Sequence, residues 1–213
     1  MMKTIKKVSI LVLTLAILVT AASCAKVMQG NIQTGTWADD GKTFTNEWAN
    51  LKLVLPEGYT RLSSEEIAQS VGAGDDVVIG SGVDKTALDV AKMRTAYDLM
   101  VIKGDGLPNA ILMYENIALT PAFKGLDEKG YYNALAEQMA GIADFAFEDL
   151  GVSTKTFAGE TYTVGKGSML GGLMFQEYYL RKLDGVIIAL CVTYSEDTQA
   201  DADALIAAFV KAK

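Results

Sequence analysis

The sequence predicts an α+β fold, a three-layer α/β/α sandwich around a central, mostly antiparallel sheet. Three observations lead there. Val186 to Val192 is apolar at every position instead of alternating, so both faces of that strand must be covered. Asp184-Gly185 separates Leu173 to Leu180 from Val186 to Tyr194 and has the composition of a tight hairpin turn. Glu128 to Phe147 carries Tyr132, Leu135, Ala136, Met139 and Ile142 at three- and four-residue steps, the pattern of an amphipathic helix, and a second helix begins near Thr198. A sheet apolar on both faces calls for helices on both.

The chain starts with Lys3, Lys6 and Lys7, continues through an apolar run from Val8 to Val19, and closes on Ala21-Ala22-Ser23-Cys24. The run is short of the roughly 20 residues that span a bilayer. The pattern resembles a bacterial lipoprotein signal. That resemblance implies removal of residues 1–23, a diacylglycerol on the Cys24 thiol, a lipidated tether over residues 24–34 and one domain over residues 35–213. The tether's polar part, Ala25 to Gln33, reaches about 30 Å when extended. Loss of three lysines takes the formal net charge from −7 to −10. Acidity of that size disfavours docking on anionic headgroups, leaving the Cys24 lipid as the membrane attachment.

Composition excludes several function classes. The sequence contains no histidine, which removes Ser-His-Asp and Cys-His catalysis, histidine zinc sites and histidine pH switches. Arginine occurs only at Arg61, Arg94 and Arg181, and the lysines are scattered, so no basic stripe exists for nucleic acid. With Cys24 lipidated, Cys191 has no disulfide partner. Its apolar strand makes it a buried structural cysteine.

Along the domain, Thr36-Trp37 and Lys42 to Asn46 flank Asp39-Asp40-Gly41 and predict an opening hairpin. Leu51, Leu53 and Leu55 alternate as a half-buried strand ended by Pro56-Glu57-Gly58. Ser63 and Glu66 have the spacing of a capping box before a short helix. Gly72 to Gly82 fits neither period and reads as loop or broken helix, and Asp84 caps a turn of helix through Ala91. Tyr97 to Ile102 and Ala110 to Tyr114 are apolar strands whose short link through Gly104, Gly106 and Pro108 forces antiparallel pairing. Gly151 stops or bends the main helix, Thr154 to Phe157 and Thr161 to Val164 form strands around Ala158-Gly159-Glu160, and the last helix carries Leu205, Ile206 and Phe209 inward.

Two groups of residues carry a family likeness. Thr43-Phe44-Thr45-Asn46-Glu47, Leu51 to Pro56 with Gly58-Tyr59, and Ser63-Ser64-Glu65-Glu66 make one group; Tyr178 to Lys182, running through Tyr194 into a terminal helix, make the other. Over most of Thr36 to Lys213 this resembles the PsbP/Mog-like domains, and within them the small lipoproteins of Gram-positive bacteria. The resemblance implies that fold and an accessory or adaptor role, and its motifs carry no catalytic residue.

Among the aromatics, Trp48, Tyr132 and Tyr178 are the candidates for a ligand-stacking surface. Asp75, Asp76, Asp84 and Asp89 lack the alternating oxygens of a calcium loop and read as a solvated acidic face. Gly165-Lys166-Gly167-Ser168 is neither a phosphate loop nor a nucleophile elbow and reads as a flexible strand end. The expectation is therefore an extracytoplasmic lipoprotein held to the cell membrane through Cys24, a non-enzymatic binding or assembly module with no metal or cofactor. Its partners would be the membrane and an envelope protein or wall component, not nucleic acid. The alternative is a histidine-free envelope hydrolase working with carboxylates or a Ser-Lys pair. A solute receptor is disfavoured because the mature chain is short for two lobes.

Overall fold

The structure is a computed structural model, and it describes residues 32–71, 77–79, 95–142 and 145–213. The expected leader, Cys24, most of the expected tether, the four aspartates from Asp75 to Asp89 and the helix expected from Asp84 lie outside the described residues. Ile32 is buried and Gly35 donates its backbone N–H to both Asp98 carboxylate oxygens at 2.9 Å, so packing of the domain begins by Ile32.

Twelve strands and three α-helices are described: β1 Thr36–Trp37, β2 Thr43–Asn46, β3 Leu51–Val54, β4 Tyr59–Arg61, α1 Ser64–Val71, β5 Val77–Ile79, β6 Thr95–Lys103, β7 Asn109–Asn116, α2 Glu128–Ala140, β8 Glu148–Phe157, β9 Glu160–Met169, β10 Met174–Leu183, β11 Val186–Tyr194, α3 Gln199–Ala207 and β12 Phe209–Val210. Eight strands form the main sheet in the order β4-β6-β7-β11-β10-β9-β8, with β5 also on β6. Every pairing is antiparallel except β5 on β6. The expected loop at Gly72 to Gly82 thus contains a strand, made by the Val-Val-Ile triplet at 77–79.

β7 and β11 are buried at every position, as strands in the middle of a doubly covered sheet must be. The β10–β11 hairpin turns at Asp184 and Gly185 with φ of 50° and 80°, the left-handed pair that matches strand twist. One face of the sheet is covered by α2 and by Ile67 of α1, around Tyr97, Met113, Tyr178 and Ala189. The other is covered by a second sheet, β1-β2-β3-β12, together with α3, around Leu112, Tyr114, Leu190 and Phe209. The expected helix-only layer on this second face is corrected: Leu51 and Leu53 bring a strand there, and β12 completes it by pairing Phe209 with Leu53. The α+β class and the mostly antiparallel sheet stand.

Local signals explain the helix ends. Glu66 accepts from the Ser63 backbone N–H at 2.8 Å and from its hydroxyl at 2.9 Å, while Ser63 Oγ accepts from the Glu66 N–H at 3.3 Å, which is the capping box. Asp127 caps α2 by accepting from the Gly130 N–H at 2.7 Å. The helix expected through Phe147 ends instead at Ala140, capped at Gly141. Gly151 belongs to β8, where it follows a bulge and has φ of 101°. β8 and β9 are also longer than expected and enclose the Gly165 to Ser168 segment, which is strand interior and not a loose end.

Candidate functional site

The three aromatic candidates do not form a platform. Tyr132 and Tyr178 are 0% and 1% exposed, with rings 5.9 Å apart beneath α2. Trp48 is half-buried on the opposite face of the sheet, edge-on to Tyr114 at 5.3 Å. The reason is steric. Gly165 and Gly167 on β9 offer no side chains to the α2 face, and the rings of Tyr132 and Phe147 fill that space: a Cβ on either glycine would lie 2.1 Å and 2.3 Å from them. The Tyr132 hydroxyl lies 2.6 Å from the Lys166 carbonyl and 2.9 Å from Asp149 Oδ1.

The same alternation sends Lys166 to the other face, where it stands directly across from Glu177 of β10. Glu177 is 8% exposed, and its two oxygens are held alike. Oε1 accepts from the Tyr194 hydroxyl at 3.0 Å and lies 3.5 Å from the Lys166 ammonium. Oε2 accepts from the Tyr179 hydroxyl at 2.9 Å and from the Lys155 ammonium at 3.2 Å. Burial works against the charge on Glu177, but Tyr179, Lys155 and Tyr194 together hold its carboxyl below the ordinary carboxylate value. Burial, then the Glu177 charge, pushes the Tyr179 and Tyr194 hydroxyls up, so both remain protonated donors.

The lysines keep solvent access, with side chains 48% and 36% exposed at Lys155 and Lys166. Lys155 lies over Tyr179 at 5.7 Å; Lys166 lies over Phe175 at 5.3 Å and Tyr194 at 5.6 Å. Phe175 is half-buried and stacks on Tyr194 at 5.7 Å, and Leu173 in the preceding turn is 70% exposed. Chemically, this is a fixed carboxylate with both oxygens engaged, bracketed by two ammonium groups with N–H donors to spare. It can bind; a carboxylate held ionised and saturated makes a poor general acid and a poor general base.

Among the described residues this face shows no Ser-Lys hydrogen bond. Both lysines engage Glu177, Ser153 donates to the Val164 carbonyl at 3.4 Å, and Ser168 is buried. Among the described residues no group of three His, Cys, Asp or Glu side chains is placed to hold a metal ion. Cys191 is buried in β11, and burial pushes its thiol up to about 12.

Sequence reasoning missed Glu177, Lys155 and Lys166 because their meeting depends on strand register. The available signal was the alternation Phe175, Glu177, Tyr179 together with a lysine between two glycines.

Elsewhere, an open cleft of 770 Å³ runs between Trp37, Arg61 and the start of α1. A groove of 440 Å³ lies between the β8–β9 turn and β12. Asp98 is a structural clasp: besides Gly35 it accepts from Asn46 Nδ2 at 2.9 Å and from the Tyr114 hydroxyl, joining the first segment, the small sheet and the main sheet.

No family model matches the sequence, and no curated protein matches it. Among solved structures, the chain is similar to the solution structure of cyanobacterial PsbP (CyanoP) from Synechocystis sp. PCC 6803, at 12% identity over 89% of this chain and 98% of that chain, with a TM-score of 0.47. It is also similar to the crystal structure of LpqN involved in cell envelope biogenesis of Mycobacterium tuberculosis, at 15% identity over 83% of this chain and 88% of that chain, with a TM-score of 0.37. The α+β assignment itself rests on the strand order and registers described above.

Proposed function

We propose that the protein is an extracytoplasmic lipoprotein, anchored to the cell membrane by a lipid on Cys24, that works as a non-enzymatic binding or assembly module. Its working surface is the Lys155–Glu177–Lys166 face. The observation that carries this reading is the bracketed glutamate, which spends a buried carboxylate on fixing two solvent-reachable ammonium groups. Positioned donors on a rigid sheet are what recognition needs.

The course of the chain supports it. Asn46 donates to the Gln33 carbonyl, the Ala49 carbonyl accepts from Arg181, and Asn50 donates to Glu160, so the first segment lies toward the end of the sheet where β10 finishes and β9 begins. Phe175 and Tyr194 pair at the other end. A tether of about 30 Å leaving near Ile32 would keep the domain close to the membrane while leaving the lysine face open to envelope partners.

Two measurements test the reading. Cys24→Ala should move the protein from the membrane fraction to the soluble fraction, and persistence at the membrane overturns the lipid anchor. Full-length protein in detergent should turn over no ester, peptide or glycan substrate. Turnover abolished by a single Ser, Lys, Asp or Glu substitution would replace the binding module by the hydrolase.

A further inference from the structure

Resting on that reading, we infer that the Lys155–Lys166 face takes an extended acidic peptide segment of a partner protein, with a carboxylate seated between the two ammonium groups and an apolar side chain on Phe175. The donors come first. Each ammonium has three N–H groups; Lys155 gives one to Glu177, and Lys166 makes an ion pair at 3.5 Å without a hydrogen bond among the described residues. The aromatic rings beneath them restrict the side chains without consuming any N–H, so the free donors are held in place and point into a reachable surface.

Charge fixes the ligand's sign. Two ammonium groups share the one carboxylate that pairs with them, so on a chain of formal net charge −7 this spot offers more cationic donors than paired acceptor oxygens. Asp203 of α3 bears on the Tyr179 and Tyr194 hydroxyls but is exposed and makes no ion pair with either lysine. A carboxylate completes the set, because its two oxygens can take one donor from each lysine.

Spacing fixes the ligand's shape. Phe175 and Glu177 are two residues apart on β10 and so about 7 Å apart on one face. That is the step between alternate side chains of an extended peptide. Leu173, in the turn just before, is 70% exposed and adds apolar surface next to that end of the strand. A segment with apolar, apolar and acidic residues at alternate positions therefore lays its apolar side chains on Leu173 and Phe175 and its acid between the lysines. A bare phosphate or acetate would satisfy the donors while leaving the apolar end uncovered.

The probe is a Leu-Ser-Phe-Ser-Glu amide carrying an uncharged fluorophore on its N-terminal nitrogen, followed by fluorescence anisotropy with full-length protein in detergent. Saturable binding is expected, weakened about tenfold when the probe's Glu becomes Gln and by about the same factor in Lys166→Ala. It should weaken severalfold when salt is raised well above physiological strength. Phe175→Ser should weaken binding by a similar factor while leaving the salt dependence in place.

Equal affinity for the Glu and Gln probes, an absence of saturable binding, or displacement by acetate or inorganic phosphate as effective as by unlabelled probe each overturns the inference. In cells, a photocrosslinker at position 173 separates the two levels of argument. A protein adduct that disappears in Lys166→Ala while the peptide fails to bind sinks the peptide chemistry and keeps the binding face. An adduct insensitive to both lysines sinks the face itself.

Discussion

The ring of Tyr132 closes on the backbone of Gly165, so near that a methyl group there would sit 2.1 Å from Cδ2. This contact is how α2 reaches β9, and it leaves Lys166 on the far side of the strand from the helix.

Gly165→Ala should destabilise the domain by about 1–3 kcal/mol through overpacking. The sign is informative, since alanine is otherwise the better strand residue of the two. Chemical denaturation of Gly165→Ala, Tyr132→Leu and the double variant checks it. The double variant should lose less stability than the two single losses added together, because shortening the ring removes the clash.

Glu177 makes stability depend on acid. Its folded pKa lies below the ordinary 4.5, so above that value its contribution is fully present, and it is lost as pH falls through the folded value. Between about pH 6 and about pH 3 the wild type should therefore lose more stability than Glu177→Gln. Parallel loss in urea melts at both pH values would show that the bracket does not stabilise the ionised form.

The Cys191 thiol should be silent in the native state. Burial pushes it up to about 12, so at about pH 8 almost no thiolate exists and none is accessible. A Cys24→Ala background isolates this thiol. Ellman's reagent should then react only after denaturant is added, and rapid native labelling would contradict the placement of β11.

Leu190→Ala tests the centre of the sheet. Leu190 is 1% exposed and pairs with Leu112 and Tyr179 on its two neighbouring strands. A loss of about 2–5 kcal/mol is expected in denaturant melts. A loss under about half a kcal/mol would fit an edge strand and not a central one.

What the sequence made legible was what local chemistry sets. Asp184-Gly185 specifies its turn by backbone conformation, Ser63 and Glu66 specify a helix start, and the unbroken apolar run of β11 specifies burial on both faces. Helical spacing overruns the end of α2 because Ile142 keeps it past Ala140, while Phe147 beyond it packs on Gly167. β8 was half read because most of its side chains are exposed and carry no hydrophobic pattern. The candidate site was invisible for a different reason. Lys155, Lys166 and Glu177 sit on three strands, and only the register across β8, β9 and β10 brings them to one point. Trp48, Tyr132 and Tyr178 were attractive as aromatic residues, and two of them turned out to be the packing that holds the helix layer in place.

The strand order sets a timetable. β7 joins β6 on one side and β11 on the other, so its second edge stays open through the making of α2, β8, β9 and β10. β3 likewise waits for β12, which follows α3. A protein made amino-terminus first must shelter both edges until β11 and β12 emerge. The stretch from Val186 onward therefore acts as the lock of the whole assembly, and a ribosome that stalls before it releases a chain with two exposed, adhesive strands.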